Sequence, residues 1–154
     1  MMKLLLLAGL ILAGNSWAMS KPYDAEATAV MKDGKPCFYL KTPIEGDTPD
    51  YLKGQGVSAE VFNETQHRYM WKSWYKTTLK TPPTSPQTCI SYGTKSPDKN
   101  RMLALPLTND TAYIFDMFGE YGRNRLYFCI KKDAQGKDYL SKSGPQANCS
   151  TDPL

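Results

Sequence analysis

Short apolar runs, each closed by turn residues, extend through most of this sequence and limit what it can fold into. Asp33-Gly34 marks the clearest turn, because both central residues of a type I′ hairpin turn need a positive φ, which Gly adopts freely and Asp tolerates. A second turn is predicted at residues 133–136. No stretch of about 12 residues has the 3.6-residue apolar period of an amphipathic helix. The pattern predicts an all-β fold of about seven to nine short strands.

The predicted strands lie at residues 25–31, 36–40, 57–61, 69–76, 89–92, 102–107, 112–118, 125–131 and 137–142. Those at 112–118 and 125–131 are apolar on both faces over most of their length, which is typical of central strands. Residues 42–56 are rich in Pro, Gly, Asp and Lys and are predicted to form a long surface loop. The segment after residue 142, rich in Ser, Gly and Pro, is predicted to be a tail.

These elements predict a single antiparallel β-sandwich, with a small barrel as the alternative. Tyr127 lies two residues before Cys129, and tryptophans lie between Cys37 and Cys129, which is similar to the immunoglobulin pattern. We therefore expect an immunoglobulin-like sandwich.

The first 18 residues have the parts of a secretory signal peptide. Lys3 gives a positive start, residues 4–13 form an apolar run, and Ser16-Trp17-Ala18 places small residues where a signal peptidase reads them. The apolar run is too short to cross a bilayer, which needs about 20 apolar residues. We expect cleavage after Ala18, a mature domain at residues 19–154 and a location in the periplasm. An uncleaved membrane anchor is the alternative.

All four cysteines, Cys37, Cys89, Cys129 and Cys149, lie in the predicted mature domain. An even number in an oxidising compartment predicts two disulfides, for which three connectivities are possible. We favour Cys37 with Cys89 and Cys129 with Cys149. A zinc site is the weaker interpretation, because zinc ligands usually occur in pairs two to four residues apart, and these cysteines are much more widely spaced. We expect neither a metal nor a cofactor.

The sequence lacks the common catalytic motifs: no G-x-S-x-G elbow, H-E-x-x-H pair or glycine-rich phosphate loop occurs. The one histidine, His67, lies between Gln66 and Arg68 and is predicted to be exposed rather than catalytic. Asp116 is the one acid within an apolar strand, and we expect it to face solvent at an edge or to pair with an arginine. The net charge of +4 comes from scattered lysines and arginines, so we expect no nucleic-acid binding.

An aromatic cluster is the main candidate for partner binding, because Tyr and Trp are enriched in interface hot spots. Its members are Tyr69, Trp71, Trp74 and Tyr75. A strand would place Tyr69, Trp71 and Tyr75 on one face, whereas a helix would gather Met70, Trp71, Trp74 and Tyr75. We favour the strand, since aromatic residues have high β-propensity. We expect Trp71 to pack in the core; for Trp74, core and binding surface remain equal alternatives.

Three segments carry a resemblance to a known family: KDGKPCF at residues 32–38, CISYG at residues 89–93 and RLYFCI at residues 125–130. Through them the chain resembles small enterobacterial periplasmic lipoproteins described as type VI secretion immunity proteins, over most of the predicted mature domain. The resemblance implies a stoichiometric binder that neutralises a protein toxin in the periplasm. Asn15 stands where the family has a lipidated cysteine, which puts membrane anchoring in doubt.

The sequence therefore predicts a periplasmic binding protein without enzymatic activity, an immunity protein whose partner is a secreted toxin. One alternative is a structural or adhesive envelope protein that assembles by strand addition at an exposed sheet edge. A third hypothesis is a cell-wall hydrolase that uses a pair of carboxylates, with Asp116 as the first candidate.

Overall fold

The computed structural model describes residues 23–41, 57–75, 83–96, 101–119 and 122–154. Nine strands lie in these ranges: β1 (Tyr23–Lys32), β2 (Lys35–Leu40), β3 (Val57–Asn63), β4 (Arg68–Tyr75), β5 (Ile90–Ser91), β6 (Ala112–Gly119), β7 (Gly122–Lys132), β8 (Asp138–Ser143) and β9 (Cys149–Pro153). Within the same ranges, the helical structure is a short 3-10 turn at Pro145–Ala147, and no helix is long and apolar enough to cross a membrane. The predicted leader at residues 1–18 and the predicted loop at residues 42–56 lie outside the described residues.

The strands form one curled sheet in the order β4-β3-β6-β7-β1-β2-β5, and β8 and β9 are added beside β7. Along one of its edges β7 pairs first with β1, where Glu26 lies opposite Arg125, and then with β8, where Phe128 lies opposite Lys142. From Ala27 onward β1 pairs with β2. The first hairpin therefore leaves the edge of β7 and folds over the inner face of the sheet.

The all-β prediction is confirmed, but the sheet is mixed rather than wholly antiparallel. Residues 23–26 of β1 pair in parallel with residues 122–125 of β7. Parallel strands need a long crossover connection instead of a tight turn. No local turn signal can therefore reveal this pair, whose members are separated by β2 to β6.

Both predicted hairpin turns are confirmed. Between β1 and β2, Asp33 and Gly34 have φ values of 50° and 73°, as a type I′ turn requires. Between β7 and β8, Gly136 has a φ of 78°, and its N–H donates to the carbonyl of Asp133 at 3.0 Å. These turns set the register of two pairs of strands on which the candidate site depends.

Aromatic rings from strands that are not neighbours meet in the core. Phe38 of β2 stacks on Phe115 of β6 with ring centroids 4.0 Å apart, and it meets Phe128 of β7 edge-on at 5.4 Å. Trp71 of β4 packs edge-on against Tyr92 at 5.5 Å. The three phenylalanines are fully buried, and burying such a side chain contributes about 1.5–3 kcal/mol each. This cluster holds the β1–β2 hairpin over β6 and β7.

Both favoured disulfides are present, Cys37–Cys89 and Cys129–Cys149. The first joins β2 to the residue before β5, and the second joins β7 to β9. The immunoglobulin pattern is not reproduced, because Cys129 bonds to the last strand of the chain and Tyr127, two residues before it, is exposed.

Two local predictions are wrong. The segment after residue 142 contains β9, which pairs with β8 and is held to β7 by Cys149. Residues 102–107 do not form a strand; their one bridge joins Met102 to Lys72 of β4. After residue 142 the composition favours turns, and at residues 102–107 it does not decide between strand and loop. In both places, contacts with residues distant in sequence determine whether the segment pairs as a strand.

Replacing Cys37 and Cys89 together by serine is expected to lower the free energy of unfolding by about 4 kcal/mol, and the Cys129–Cys149 pair by about 3 kcal/mol, from loop-closure entropy. The bridged residues are 52 and 20 positions apart, respectively. Urea unfolding of both double variants under oxidising conditions measures the two losses. A larger loss for the shorter loop would contradict this account.

Candidate partner-binding face

Alternate residues of β3, β4, β6 and β7 point away from the aromatic core and form a surface that we call the outer face. On β6, Phe115 and Met117 point inward and are fully buried, whereas Ile114 and Phe118 are only partly buried. This period-2 alternation is what a pleated strand imposes. The outer face is lined by Glu60, Phe62, Tyr69, Lys72, Trp74, Ile114, Asp116, Phe118, Arg123, Arg125 and Tyr127.

Charged residues lie opposite one another in a row that crosses this face and continues onto β1 and the residue after β2; we call it the charged row. Its members, strand by strand, are Lys72 on β4, Glu60 on β3, Asp116 on β6, Arg125 on β7, Glu26 on β1 and Lys41 after β2. Most neighbours carry opposite charges, which stabilises cross-strand pairs by about 0.2–1 kcal/mol. Strand register therefore aligns the row.

The ion pair of Asp116 and Arg125 lies at the centre of the charged row. Arg125 Nε and Nη2 donate to the two carboxylate oxygens of Asp116 at 2.7 and 2.6 Å, a bidentate geometry. The carboxylate and the hydrogen bond to the Tyr127 hydroxyl raise the pKa of Arg125, although burial acts against this. Pairing of Asp116 with an arginine is thus confirmed. Both oxygens of the acid are engaged in holding Arg125 in place.

Glu60 and Asp116 are the one like-charged pair of neighbours in the row. Lys72 Nζ lies 3.2 Å from Glu60 Oε2, and it also lies 3.3 Å from the centre of the Tyr69 ring. Burial raises the pKa of Glu60; the hydrogen bond from Lys72 opposes this rise, and the charge of Asp116 adds to it. Lys72 is therefore held both by a carboxylate and by an aromatic face.

A β-bulge in β4 separates the predicted aromatic cluster into two faces. Val61 of β3 lies opposite Trp71, and the next residue, Phe62, lies opposite Tyr69, so Met70 is the extra residue. Met70 and Trp71 are both buried in the core, and Tyr69 is on the outer face. The prediction that Tyr69 and Trp71 share a face is wrong, because the extra residue interrupts the alternation.

The structure confirms that residues 69–75 form a strand and that Trp71 packs in the core. Trp74 lies on the outer face with 38% of its surface exposed, and Tyr69 is 39% exposed. The side chain of Tyr75 lies outside the described part of the structure. His67, at the turn between β3 and β4, is exposed as predicted.

Tyr127 belongs to the same surface but is not among the candidates that sequence analysis identifies. It is 41% exposed, and its hydroxyl accepts a hydrogen bond from Arg125 Nη1 at 3.3 Å. The sequence signal that could identify it is the two-residue spacing of Arg123, Arg125 and Tyr127 along β7. That spacing places all three on one face once the strand is assigned.

The β4 edge of the sheet is covered by the chain itself. Lys72 and Met102 exchange both backbone hydrogen bonds, at 3.0 and 3.3 Å, and Leu105 N–H donates to the carbonyl of Met70 at 2.8 Å. The N–H of Trp74 donates to Ser96 Oγ at 3.1 Å. Edge groups that are already bonded cannot pair with a strand of another chain without first being released.

Among the described residues, no group of three or more His, Cys, Asp or Glu side chains is placed to hold a metal ion. No family model, curated protein or solved structure matches this chain. The outer face is therefore interpreted from its own chemistry: exposed aromatic rings beside charged groups that are already fixed in position.

Replacing Glu60 by glutamine is expected to change how stability depends on pH. The folded pKa of Glu60 lies above its ordinary value of 4.5, so the folded protein holds this proton more tightly, and the wild type loses stability as pH rises above about 4.5. The variant lacks this loss. The difference in urea midpoint, variant minus wild type, should therefore be more positive at pH 7 than at pH 4.

Glu26→Gln is the matched control. Its hydrogen bond and charge interaction with Lys41 lower the pKa of Glu26, so the wild-type residue adds stability above its unfolded pKa and loses it as pH falls. The two variants should differ from the wild type with opposite dependence on pH. If the stability difference from the wild type changed with pH in the same direction for both variants, the pKa of Glu60 would not be raised while that of Glu26 is lowered.

Proposed function

We propose that this chain is an exported binding protein that neutralises a secreted toxin by stoichiometric contact through its outer face. The observation that carries the proposal is the exposure of Tyr69, Trp74 and Tyr127 on the one face that also presents Arg125 and Lys72. Trp, Tyr and Arg are the residues most enriched in interface hot spots. Tyr69, Trp74 and Tyr127 each leave about two-fifths of their surface in water, which a partner would cover.

The side chains of the outer face are also held before any partner arrives. Asp116 fixes the guanidinium of Arg125, and Glu60 and the Tyr69 ring fix Lys72. Binding costs about 0.5–1.5 kcal/mol for each flexible side chain that must be immobilised. A surface whose charged groups are already paired avoids much of that cost.

The proposed location is the periplasm, reached through cleavage of the leader at residues 1–18. The two disulfides support an oxidising compartment. We propose that the curled sheet forms a β-sandwich, which the stacking of Phe38 of β2 on Phe115 of β6 supports. Because no catalytic group is assigned to the chain, we propose that it acts only by binding its partner.

Trp74→Ala and Tyr127→Ala are each expected to weaken toxin binding at least tenfold, in keeping with hot-spot residues. The candidate toxin is one encoded beside this gene. Titration of the purified pair measures affinity and stoichiometry, and growth during periplasmic co-expression measures protection. Leu103→Ala is the matched control, because Leu103 is 62% exposed and does not lie on the outer face. Full protection by both aromatic variants would show that the outer face is not the toxin-binding surface.

The structural or adhesive alternative predicts self-assembly at a sheet edge, and the closed β4 edge argues against it. At the β5 end, the strand is two residues long, and Tyr92 N–H donates to the carbonyl of Pro36 at 2.8 Å. At β9, Pro153 lacks an N–H and Asp152 N–H donates to Ser150 Oγ at 2.9 Å. These are the features by which proteins protect edge strands.

We therefore expect a monomer at all concentrations that sedimentation velocity can measure. The sample should be the mature protein with both disulfides intact. Growth of the sedimentation coefficient with concentration would favour the adhesive alternative over the binding protein.

A further inference from the structure

A cleft of about 770 Å³ opens where β1 leaves the edge of β7 and β8 takes its place. The parallel pairing with β1 ends at Arg125, and the antiparallel pairing with β8 begins at Phe128. Leu126 and Tyr127 lie between the two pairings and line the cleft. The divergence of β1 and β8 along β7 accounts for the concavity.

Cationic side chains dominate the described lining of this cleft. Lys41, Arg123, Arg125 and Lys142 line it, and Glu26 is the one described side-chain carboxylate among the lining residues. The hydrogen bond and charge of Lys41, together with the weaker effect of Lys142, hold the pKa of Glu26 below its ordinary value. The lining is therefore complementary to negative charge.

A tyrosine hydroxyl adds a hydrogen-bond donor to the same cleft. Tyr127 accepts a hydrogen bond from Arg125, so its own hydroxyl proton is available to an acceptor.

We infer that this cleft binds an acidic segment of a protein partner, with Asp or Glu carboxylates reaching Lys142 and the Tyr127 hydroxyl. The inference rests on the proposed function, because it names the chemistry of the partner that the outer face contacts. The cleft and the outer face are continuous, since Arg125 and Tyr127 belong to both. One partner could therefore place an apolar patch on the aromatic rings and an acidic segment in the cleft.

The size of the cleft favours a peptide segment over a free anion. Pockets of about 300–1,000 Å³ enclose molecules of drug size, which are much larger than one carboxylate or phosphate group. The cations are also distributed among four separate places in the chain: after β2, at the start of β7, in the middle of β7 and on β8. A chain that carries several carboxylates can satisfy such a distribution.

The test uses the mature protein and a fluorescein-labelled octaglutamate peptide, with fluorescence anisotropy at low and at physiological ionic strength. Lys142→Glu is expected to weaken binding about five- to tenfold, because it replaces attraction in the cleft by repulsion. Lys137→Glu makes the same charge change at an exposed lysine of the β7–β8 turn and should change binding less than twofold. Octalysine should not bind.

Tyr127→Phe gives a second measurement. Loss of the hydroxyl, with the ring kept, should lower the octaglutamate affinity. An unchanged affinity would contradict the role of the Tyr127 hydroxyl. Equal losses in Lys142→Glu and Lys137→Glu would show that net charge alone is responsible, and tripolyphosphate that competes as tightly as the peptide would show a free-anion site. Either result overturns the inference.

The outcomes separate the inference from the proposed function. If octaglutamate does not bind but Trp74→Ala abolishes toxin protection, the acidic segment is wrong and the binding face stands. If the peptide binds in the cleft but the wild-type chain neither binds nor protects against the neighbouring toxin, the cleft stands and the proposed function fails.

Discussion

The contact of Phe38 with Phe115 and Phe128 is the interaction on which the rest of this structure depends. It joins a hairpin that has left the edge of the sheet to the inner face of the two central strands. The Cys37–Cys89 bridge, one residue before Phe38, fixes the same strand to β5. The ladder between β1 and β7 contributes little to holding the hairpin there, because the two strands share four paired positions.

Curling the sheet in this way leaves the opposite face of β3, β4, β6 and β7 without a covering layer among the described residues. Strand register then aligns the charged row across that face, and the bulge at Met70 turns Tyr69 outward while it keeps Trp71 in the core. The same fork that creates the curl also opens the basic cleft. The candidate surface is therefore a direct consequence of how the core is built.

The buried acid of the sheet illustrates how geometry decides between chemistry and structure. Asp116 in an apolar strand attracts attention as a candidate base, but both of its oxygens accept hydrogen bonds from Arg125. A carboxylate that is held in this way fixes the position of its partner and is not free to act as a general base. What it orders is the guanidinium of Arg125, which belongs both to the outer face and to the cleft, so Asp116 positions one group of the proposed binding surface.

Sequence alone determined the elements that depend on neighbours in the chain. The Asp33-Gly34 turn and the central strands β6 and β7 could be predicted, because turn chemistry and apolar runs are local properties. For the cysteines, the sequence favoured one of three connectivities, and the tertiary structure decided for Cys37–Cys89 and Cys129–Cys149. Tertiary structure decided the parallel pairing of β1 with β7, the existence of β9, the separation of Tyr69 from Trp71 by a bulge, and the place of Tyr127 beside them. Each of these depends on which distant strand supplies the hydrogen bonds, and the order of residues along the chain does not specify that strand.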